Sequence, residues 1–296
     1  MANTKEIKNR MKSVQDTQKI TNAMYLIAST KLRKAKAELD KTRPYFYELR
    51  AEVRGMFGKG SVTSHYFTEK DLTDKPIGVL VVTADKGLAG AYNSNILKEA
   101  VKLIGDNPNN KLYVVGEVGR QYFMQRGIAI EKSFLYTAQN PTLQRARDIV
   151  KVLLMKYLSG EIGEIHIIYT DMVNSLISEP IVKRLVPFKK SDFDDVDAAD
   201  YENLEFLPDM NSVLDTIMPS CLTGYVYSAL VNSFCAEQNA RMSAMNAAND
   251  NAQKLLDELS VEYNRVRQAA ITQEITEVSA GAKAQKRKRM KEAANS

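Results

Sequence analysis

The chain has 296 residues, of which 44% are hydrophobic and 26% are charged, and its formal net charge is +5 at pH 7. This composition is ordinary for a globular protein and excludes intrinsic disorder, collagen and disulfide scaffolds as overall classes. No apolar run approaches the ~18 residues of a membrane-spanning helix. The first residues lack the apolar core of a secretory signal, so we expect the protein to stay where it is made.

Cysteine and histidine are too scarce for the common metal and triad sites. Cys221 and Cys235 would lie about 21 Å apart along a helix, too far for a disulfide, which predicts reduced thiols. The only histidines are His65 and His166, so a zinc site or a histidine-based triad lacks ligands. The sequence therefore predicts neither a bound metal nor a cofactor.

Glycine and proline divide the chain into three parts, because both residues interrupt regular structure. Neither occurs in residues 1–43 or in residues 225–280, whereas the middle contains all eight prolines. This distribution predicts a long helix in each flank and a turn-rich domain between them. Both ends of the chain flank that one domain, so the two helices are expected to run antiparallel.

In both flanks apolar side chains recur every 3.5 residues, which is the repeat of a left-handed coiled coil. The first repeat comprises Ile7, Met11, Val14, Gln18, Thr21, Tyr25, Ala28, Leu32, Ala35 and Leu39. The second comprises Val231, Cys235, Gln238, Met242, Met245, Asn249, Ala252, Leu256, Leu259, Tyr263, Val266, Ala270, Gln273, Glu277 and Ala280. Two amphipathic helices in a bundle are the alternative. The end helix, at ~60–75 residues, far exceeds the usual 8–20 and favours the coiled coil.

The middle alternates short apolar runs with amphipathic stretches. The strand-like runs are residues 76–83, 112–116, 128–130, 165–169 and an edge strand at 181–188. The helix-like stretches are residues 94–104, 118–126 and 143–159. This alternation predicts an α/β domain with a parallel or mixed sheet.

The loop at residues 83–93 follows the first strand and leads into a helix, where a nucleotide-binding fold places its phosphate loop. It has neither the GxGxxG nor the GxxxxGK[ST] spacing, so a tight turn is favoured. Within it, Asp85 and Lys86 are interpreted as a helix cap and a surface charge rather than a catalytic pair. The acidic stretch 191–200 lacks the glycine and terminal glutamate of a calcium loop and is interpreted as an exposed, flexible linker.

Charge and polarity indicate where partners could bind. Residues 1–60 carry 14 basic and 6 acidic side chains. A solvated coiled-coil face and an acidic protein partner both fit them, whereas nucleic acid fits less well because the charges are interleaved and no aromatic platform accompanies them. Residues 264–277 are polar around the helix, and such a continuous helix needs partners outside its own coil.

Four segments of the chain resemble the gamma subunit of the F-type ATP synthase. They are residues 15–24 (QDTQKITNAM), 83–93 (TADKGLAGAYN), 236–248 (AEQNARMSAMNAA) and 263–282 (YNRVRQAAITQEITEVSAGA). The likeness covers essentially the whole chain, and the last motif is long and highly specific. It implies an antiparallel coiled coil that emerges from a Rossmann-like domain. The implied function is that of the non-catalytic rotor of the central stalk, which couples proton-driven rotation of the c ring to ATP synthesis or hydrolysis at the beta subunits.

The resemblance also implies roles for particular residues. The rotor–stator contacts would be Met24, Arg267, Gln268, Thr272 and Glu277. The basic face toward acidic beta segments would be Lys31, Arg33, Lys34 and Lys36. The foot toward the c ring and the epsilon subunit would include Glu205 and Phe206. The implied partners are the alpha and beta subunits of the catalytic hexamer, epsilon and the c ring. One copy of this chain per complex is implied, and no nucleic acid.

Two departures from the family's pattern stand out. Ala89 occupies a position where many relatives have cysteine, and the chain continues beyond Gly281 into lysine-rich sequence. Glycine commonly ends a helix, so Gly281 is a candidate end of the long helix, after which residues 282–291 have the propensity to resume one.

The absence of an organelle leader and of a regulatory cysteine insertion favours a bacterial protein, peripheral on the cytoplasmic side of the cell membrane. Two other classes are weighed against the rotor. One is a Rossmann-like nucleotide-dependent enzyme that a coiled coil oligomerises, and the other is a coiled-coil adaptor for nucleic acid. The missing phosphate motif argues against the enzyme, and the interleaved charges argue against the adaptor.

The predicted fold class is α/β, with a long antiparallel coiled coil of the terminal helices and a Rossmann-like domain between them. Five segments follow: an N-terminal coiled-coil helix at 1–58, a linker at 59–75, the α/β domain at 76–190, an acidic linker and foot at 191–210, and the C-terminal helix with its basic tail at 211–296.

Overall fold

The structure is a computed structural model that describes residues 4–57, 62–67, 75–105, 107, 109–135, 137–174, 177–198 and 206–294, the last seven by backbone alone. Its helices are α1 (Thr4–Met56), α2 (Tyr92–Gly105), α3 (Glu117–Gln125), α4 (Leu143–Leu158) and α5 (Met210–Ala294), with a short 3-10 helix at Lys190–Phe193. Its strands are β1 (Ile77–Val82), β2 (Lys111–Val115), β3 (Lys132–Phe134), β4 (Glu164–Met172) and β5 (Ser178–Val186).

The chain forms two compact units. The terminal unit comprises Met1–Tyr25 and Met245–Ser296, and the central unit comprises Leu26–Ala244. Both α1 and α5 contribute to each unit.

In the terminal unit, α1 and α5 pair antiparallel. The Thr21 hydroxyl donates to the side-chain oxygen of Asn249, and Gln18 Nε2 donates to Gln253 Oε1 at 3.4 Å. Residue 21 faces residue 249 and residue 18 faces residue 253, so the two helices run in opposite directions. The predicted repeat positions from Ile7 to Tyr25 and from Met245 to Val266 are all buried or half-buried, which confirms the seam in this part of the chain.

The seam prediction is wrong beyond Val266. Every side chain from residue 267 to residue 287 is exposed, including the predicted seam positions Ala270, Gln273, Glu277 and Ala280. The reason is the register. With residue 21 opposite residue 249, Thr4 at the start of α1 lies opposite about residue 266. Beyond that point α5 has no partner helix within the described chain.

The candidate helix end at Gly281 is also wrong, because α5 continues through it to Ala294. One glycine inside a helix costs only about 1 kcal/mol relative to alanine. The alanine, lysine, glutamine and arginine residues that follow are good helix formers and offset this cost.

The central unit contains a five-stranded sheet of order β3-β2-β1-β4-β5. Strands β1 to β4 are parallel, and β5 pairs antiparallel with β4, as the predicted edge strand required. The side chains of β1 are buried on both faces, because helices cover both. Val79 and Val81 pack with α2 and α3, whereas Leu80 and Val82 pack with α4 and α5.

The strand predicted at residues 128–130 is wrong, since β3 lies at Lys132–Phe134. Ile128 and Ile130 are instead loop residues that pack against the core on the α2 and α3 side of the sheet. Their apolar character reflects this packing. An apolar run of three residues does not distinguish a strand from a loop that covers a core.

The acidic stretch is not an exposed linker over residues 191–198, the part that the structure describes. Phe193 is fully buried and Val196 nearly so. The guanidinium group of Arg50 on α1 binds the carboxylate of Asp195, with Nη1 donating to Oδ2 at 2.9 Å, and also donates to the Asp192 carbonyl at 2.8 Å. The two buried side chains and the guanidinium group therefore fasten this segment to α1.

Candidate functional site

The uncovered end of α5 has an unusual surface. Arg267, Gln268, Thr272 and Glu277 are all exposed, as the predicted stator contacts must be. Their hydrogen bonds are local ones: the Thr272 hydroxyl donates to the Gln268 carbonyl at 2.9 Å, and Gln273 Nε2 donates to Glu277 Oε1 at 3.0 Å. These side chains are free to exchange such bonds for contacts with another protein.

Apolar side chains lie beside these polar ones. Ile271, Ile275 and Val278 are 46%, 64% and 74% exposed, and their spacing of four and three residues places them along one side of the helix. A contiguous exposed apolar surface on a helix marks a site of protein interaction. The end of α5 thus combines an apolar stripe with hydrogen-bonding groups on its other sides.

Met24 does not lie beside the other predicted contacts. It is half-buried on α1 in the terminal unit, where the register places it opposite about residue 246 of α5. That point is about 30 Å along the helix from Arg267. Met24 and the group around Arg267 would therefore contact different levels of any surrounding protein.

The predicted basic residues lie in the central unit, and all four are exposed. Lys31 and Lys34 line a shallow cavity of about 350 Å³ together with Glu38, Gln139 and Asn140. Arg33 and Lys36 are also three residues apart but occupy a different side of α1, because residues 31 and 33 are not neighbours on a helix surface. The four residues thus form two basic edges rather than one face.

The predicted foot is described only in part, since Glu205 lies outside the described residues. Phe206 is half-buried against the core of the central unit, and Leu207 next to it is 84% exposed. Asp209 caps α5: its carboxylate accepts from the backbone N–H groups of Asn211 at 2.9 Å and Ser212 at 3.1 Å. The Ser212 hydroxyl and these two N–H groups lower the pKa of Asp209.

The loop at residues 83–93 is a structural junction. Asp85 accepts from the backbone N–H of Glu117 at 3.0 Å, at the start of α3, and from that of Gln139 at 3.2 Å. Asp85 thus caps the start of α3 rather than the helix that follows its own loop, and Lys86 beside it is exposed as predicted. The loop therefore holds neighbouring segments in place through Asp85.

The second half of this loop packs on α5. The Tyr92 hydroxyl donates to Ser233 Oγ at 3.1 Å, and Ala89 packs with the fully buried Ala236. Burial raises the pKa of Tyr92, so its phenol stays protonated and remains a donor. The contact between loop and helix is thus apolar with a buried hydrogen bond at its centre.

A buried ion pair adjoins this contact. Arg241 Nη1 lies 2.7 Å from Glu237 Oε1, and the two side chains are 11% and 7% exposed. Arg241 Nη2 also donates to the carbonyl oxygens of Gly87 at 3.0 Å and Lys86 at 3.4 Å. Burial raises the pKa of Glu237, although Arg241 favours its charged form. The sequence signal for this pair is a Glu and an Arg four residues apart in the part of α5 without glycine, and the predicted site residues did not include it.

Comparison with known proteins identifies the family. A family model described as ATP synthase matches residues 3–285. The ATP synthase gamma chain of Caldanaerobacter subterraneus subsp. tengcongensis is 41% identical over 292 residues, covering 94% of this chain and 98% of the relative. That of Staphylococcus carnosus is 38% identical over 288 residues, covering 96% and 99%. This chain belongs to the ATP synthase gamma-chain family.

Solved structures agree with the gamma-chain fold. The rotor of the Euglena gracilis mitochondrial ATP synthase matches with a TM-score of 0.63 at 14% identity, over 90% of this chain and 98% of that one. The central stalk and c ring structure of the Tetrahymena thermophila mitochondrial enzyme gives 0.57 at 22% identity, over 77% and 99%. The predicted fold class is confirmed.

Membership in the family also decides the broad function. A gamma chain is the central-stalk rotor subunit of ATP synthase and is not its catalytic subunit, so the predicted family and function are confirmed. The Rossmann-like enzyme and the nucleic-acid adaptor are set aside. Among the described residues, none of the helices is long and apolar enough to cross a membrane.

Proposed function

We propose that α5 beyond Val266 turns inside a catalytic hexamer of three alpha and three beta subunits, and that Arg267, Gln268, Thr272 and Glu277 contact the beta subunits. One observation carries this proposal: α5 continues for at least 21 residues past its partner helix with every side chain exposed. An uncovered helix with an apolar stripe favours a surrounding protein as its partner.

The asymmetry of this helix supplies the mechanism. A single helix with an apolar stripe on one side offers a different surface to each of three surrounding beta subunits. As the shaft, which is α5 beyond Val266, turns, each beta subunit contacts each side of the helix in sequence and changes conformation accordingly. Individual exposed polar contacts are worth about 0.2–1 kcal/mol, so they break and reform at each step without stalling the shaft.

The other predicted contacts complete the rotor. Met24 contacts the surrounding alpha and beta subunits about 30 Å along the helix from Arg267. The basic residues attract acidic segments of the beta subunits; they are Lys31, Arg33, Lys34 and Lys36. Phe206, the exposed Leu207 and Glu205 form the foot that meets the c ring and the epsilon subunit. Attachment to the c ring holds the chain, in one copy, at the cytoplasmic side of a bacterial cell membrane, where proton flow through the ring drives it.

Site-directed cross-linking tests the placement of the shaft. In the assembled complex, with Cys221 and Cys235 replaced by serine, Thr272→Cys carrying a short photo-cross-linker should form products with beta. Leu207→Cys should form products with c or epsilon. Lys98→Cys, exposed on α2, is the matched control and should form none with beta. Cross-links to beta from position 98 but not from position 272 would contradict the proposal.

A further inference from the structure

Open α/β sheets bind ligands in a crevice at the carboxyl ends of the strands, at the point where the strand order reverses. In this sheet the connection from β1 leads through α2 to β2 on one side, and the connection from β3 leads through α4 to β4 on the other. The order therefore reverses between β1 and β4. A crevice is expected where these two strands end.

A segment of α5 occupies this crevice. Ser233 Oγ accepts from the Thr170 backbone N–H at 3.1 Å, at the end of β4. Asn232 Nδ2 donates to Asp171 Oδ1 at 3.0 Å. Ala236 packs against the residues that follow β1, with no exposed surface of its own. The small side chains at positions 233 and 236 let the helix enter the space that a ligand would occupy in a related fold.

Arg241 fastens the loop after β1 to this segment. Nη2 of its guanidinium group donates to the carbonyl oxygens of Lys86 and Gly87. Nη1 of the same group donates to the carboxylate of Glu237, which lies one helical turn earlier. Glu237 has Lys31 of α1, Asp85 of the loop and Tyr92 of α2 as further charged or titratable neighbours. The pair is thus the charged link between the sheet's loop and the long helix.

We propose that Arg241, oriented by Glu237, is a positioning residue that locks the α/β domain to α5, so that the domain and the shaft turn together under load. This inference rests on the proposed rotor function. Removing one partner of a buried ion pair leaves an uncompensated charge and is strongly destabilising, unlike the loss of an exposed pair. The lock is therefore suited to carry torque, whereas the exposed contacts at the end of α5 are suited to slide.

The test measures proton pumping per ATP hydrolysed by the complete complex in liposomes. Arg241→Ala should lose most of this pumping while hydrolysis without a gradient stays near the wild-type rate. Arg241→Lys keeps a donor for the loop and should regain part of it. Arg120→Ala is the matched control, because Arg120 pairs with Glu117 on α3 at 2.6 Å and that pair is partly exposed. It should pump normally.

A charge swap distinguishes the hydrogen bonds between Arg241 and the loop from the ion pair between Arg241 and Glu237. The double variant Glu237→Arg/Arg241→Glu restores opposite charges, but a glutamate at 241 cannot donate to the carbonyl groups of the loop. Pumping should therefore stay low. Recovery by the swap would overturn the proposal, and so would an Arg241→Ala complex that melts earlier yet pumps as well as the Arg120→Ala control. Failure of the wild-type complex to pump either protons or sodium ions would instead contradict the proposed placement of α5 inside the hexamer.

Discussion

The ring of Phe46 on α1 packs directly against the backbone of Gly224 on α5. A Cβ atom at position 224 would overlap ring carbons of Phe46, so the side chain of any other residue would need the ring to move. Gly224 lies within α5, and its role is close approach of the two helices. This contact sets how near α1 and α5 come to each other in the central unit.

Gly224→Ala should therefore destabilise the protein. Alanine improves helix propensity by about 1 kcal/mol, but overpacking costs about 1–3 kcal/mol, so we expect a lower melting temperature. Gly281→Ala is the matched control, because Gly281 lies in the same helix with nothing near its missing side chain, and it should not destabilise the chain. Thermal unfolding followed by circular dichroism compares the two. Equal or higher stability of Gly224→Ala would show that the ring adapts without cost.

Arg267→Ala and Gln268→Ala should impair coupling more than folding. Both side chains are exposed, so each change should alter the free energy of unfolding by about 0.5 kcal/mol or less. Unfolding of the free subunit and turnover of the assembled complex are the two measurements. If Arg267→Ala melts the free subunit and leaves turnover unchanged, these residues serve the fold instead.

The Arg50–Asp195 ion pair should make the central unit acid-sensitive. The hydrogen bond from Arg50 lowers the pKa of Asp195 in the folded state below its ordinary value of about 3.9. The unfolded chain thus binds the proton more readily, so this contribution to stability is complete above about pH 5 and is lost as the pH falls through the folded pKa. Asp195→Asn should flatten the acid limb of the stability curve measured by urea unfolding. An unchanged limb would show that the pair contributes nothing.

The isolated subunit should hydrolyse no ATP. The crevice where a nucleotide would bind in this class of sheet is occupied by Ser233 and Ala236 of α5, which pack against the end of β4 and the loop after β1. Phosphate release by the purified chain, after removal of contaminating ATPases, is the measurement. Turnover above background that persists through further purification would contradict this assignment.

Deletion of residues 286–296 should leave assembly intact and lower ATPase turnover modestly. The deleted segment lies beyond the family-model match, which ends at residue 285. Its basic side chains act at contact range only, since salt screens exposed charges beyond about 8 Å at physiological ionic strength. The effect should shrink across a salt series of the reconstituted complex. Loss of assembly, or loss of coupling at every salt concentration, would show that residues 286–296 make an essential contact in the complex.

The class of fold is predictable from the sequence because the signals for it are local. A 3.5-residue repeat without glycine or proline is compatible only with long paired helices, and apolar runs between amphipathic stretches require a covered sheet. The family followed from long motifs such as residues 263–282. The exposure of Arg267, Gln268 and Thr272 followed from their polar surroundings, whereas the repeat wrongly placed Glu277 in the seam.

Other features depend on which distant segments of the chain meet, so they are visible only in the folded protein. The 3.5-residue repeat continues past Val266, but burial stops there because the register with α1 leaves no partner. The acidic stretch near Asp195 was predicted to be exposed from its charge. In the fold, burial of Phe193 and the hydrogen bonds of Arg50 attach it to α1. The Glu237–Arg241 pair lies beside the sheet's crevice because the loop after β1 folds onto α5, a contact between residues about 150 positions apart. Local propensity carries no information about such a contact, since its energy exists only once the sheet and the helix are already assembled.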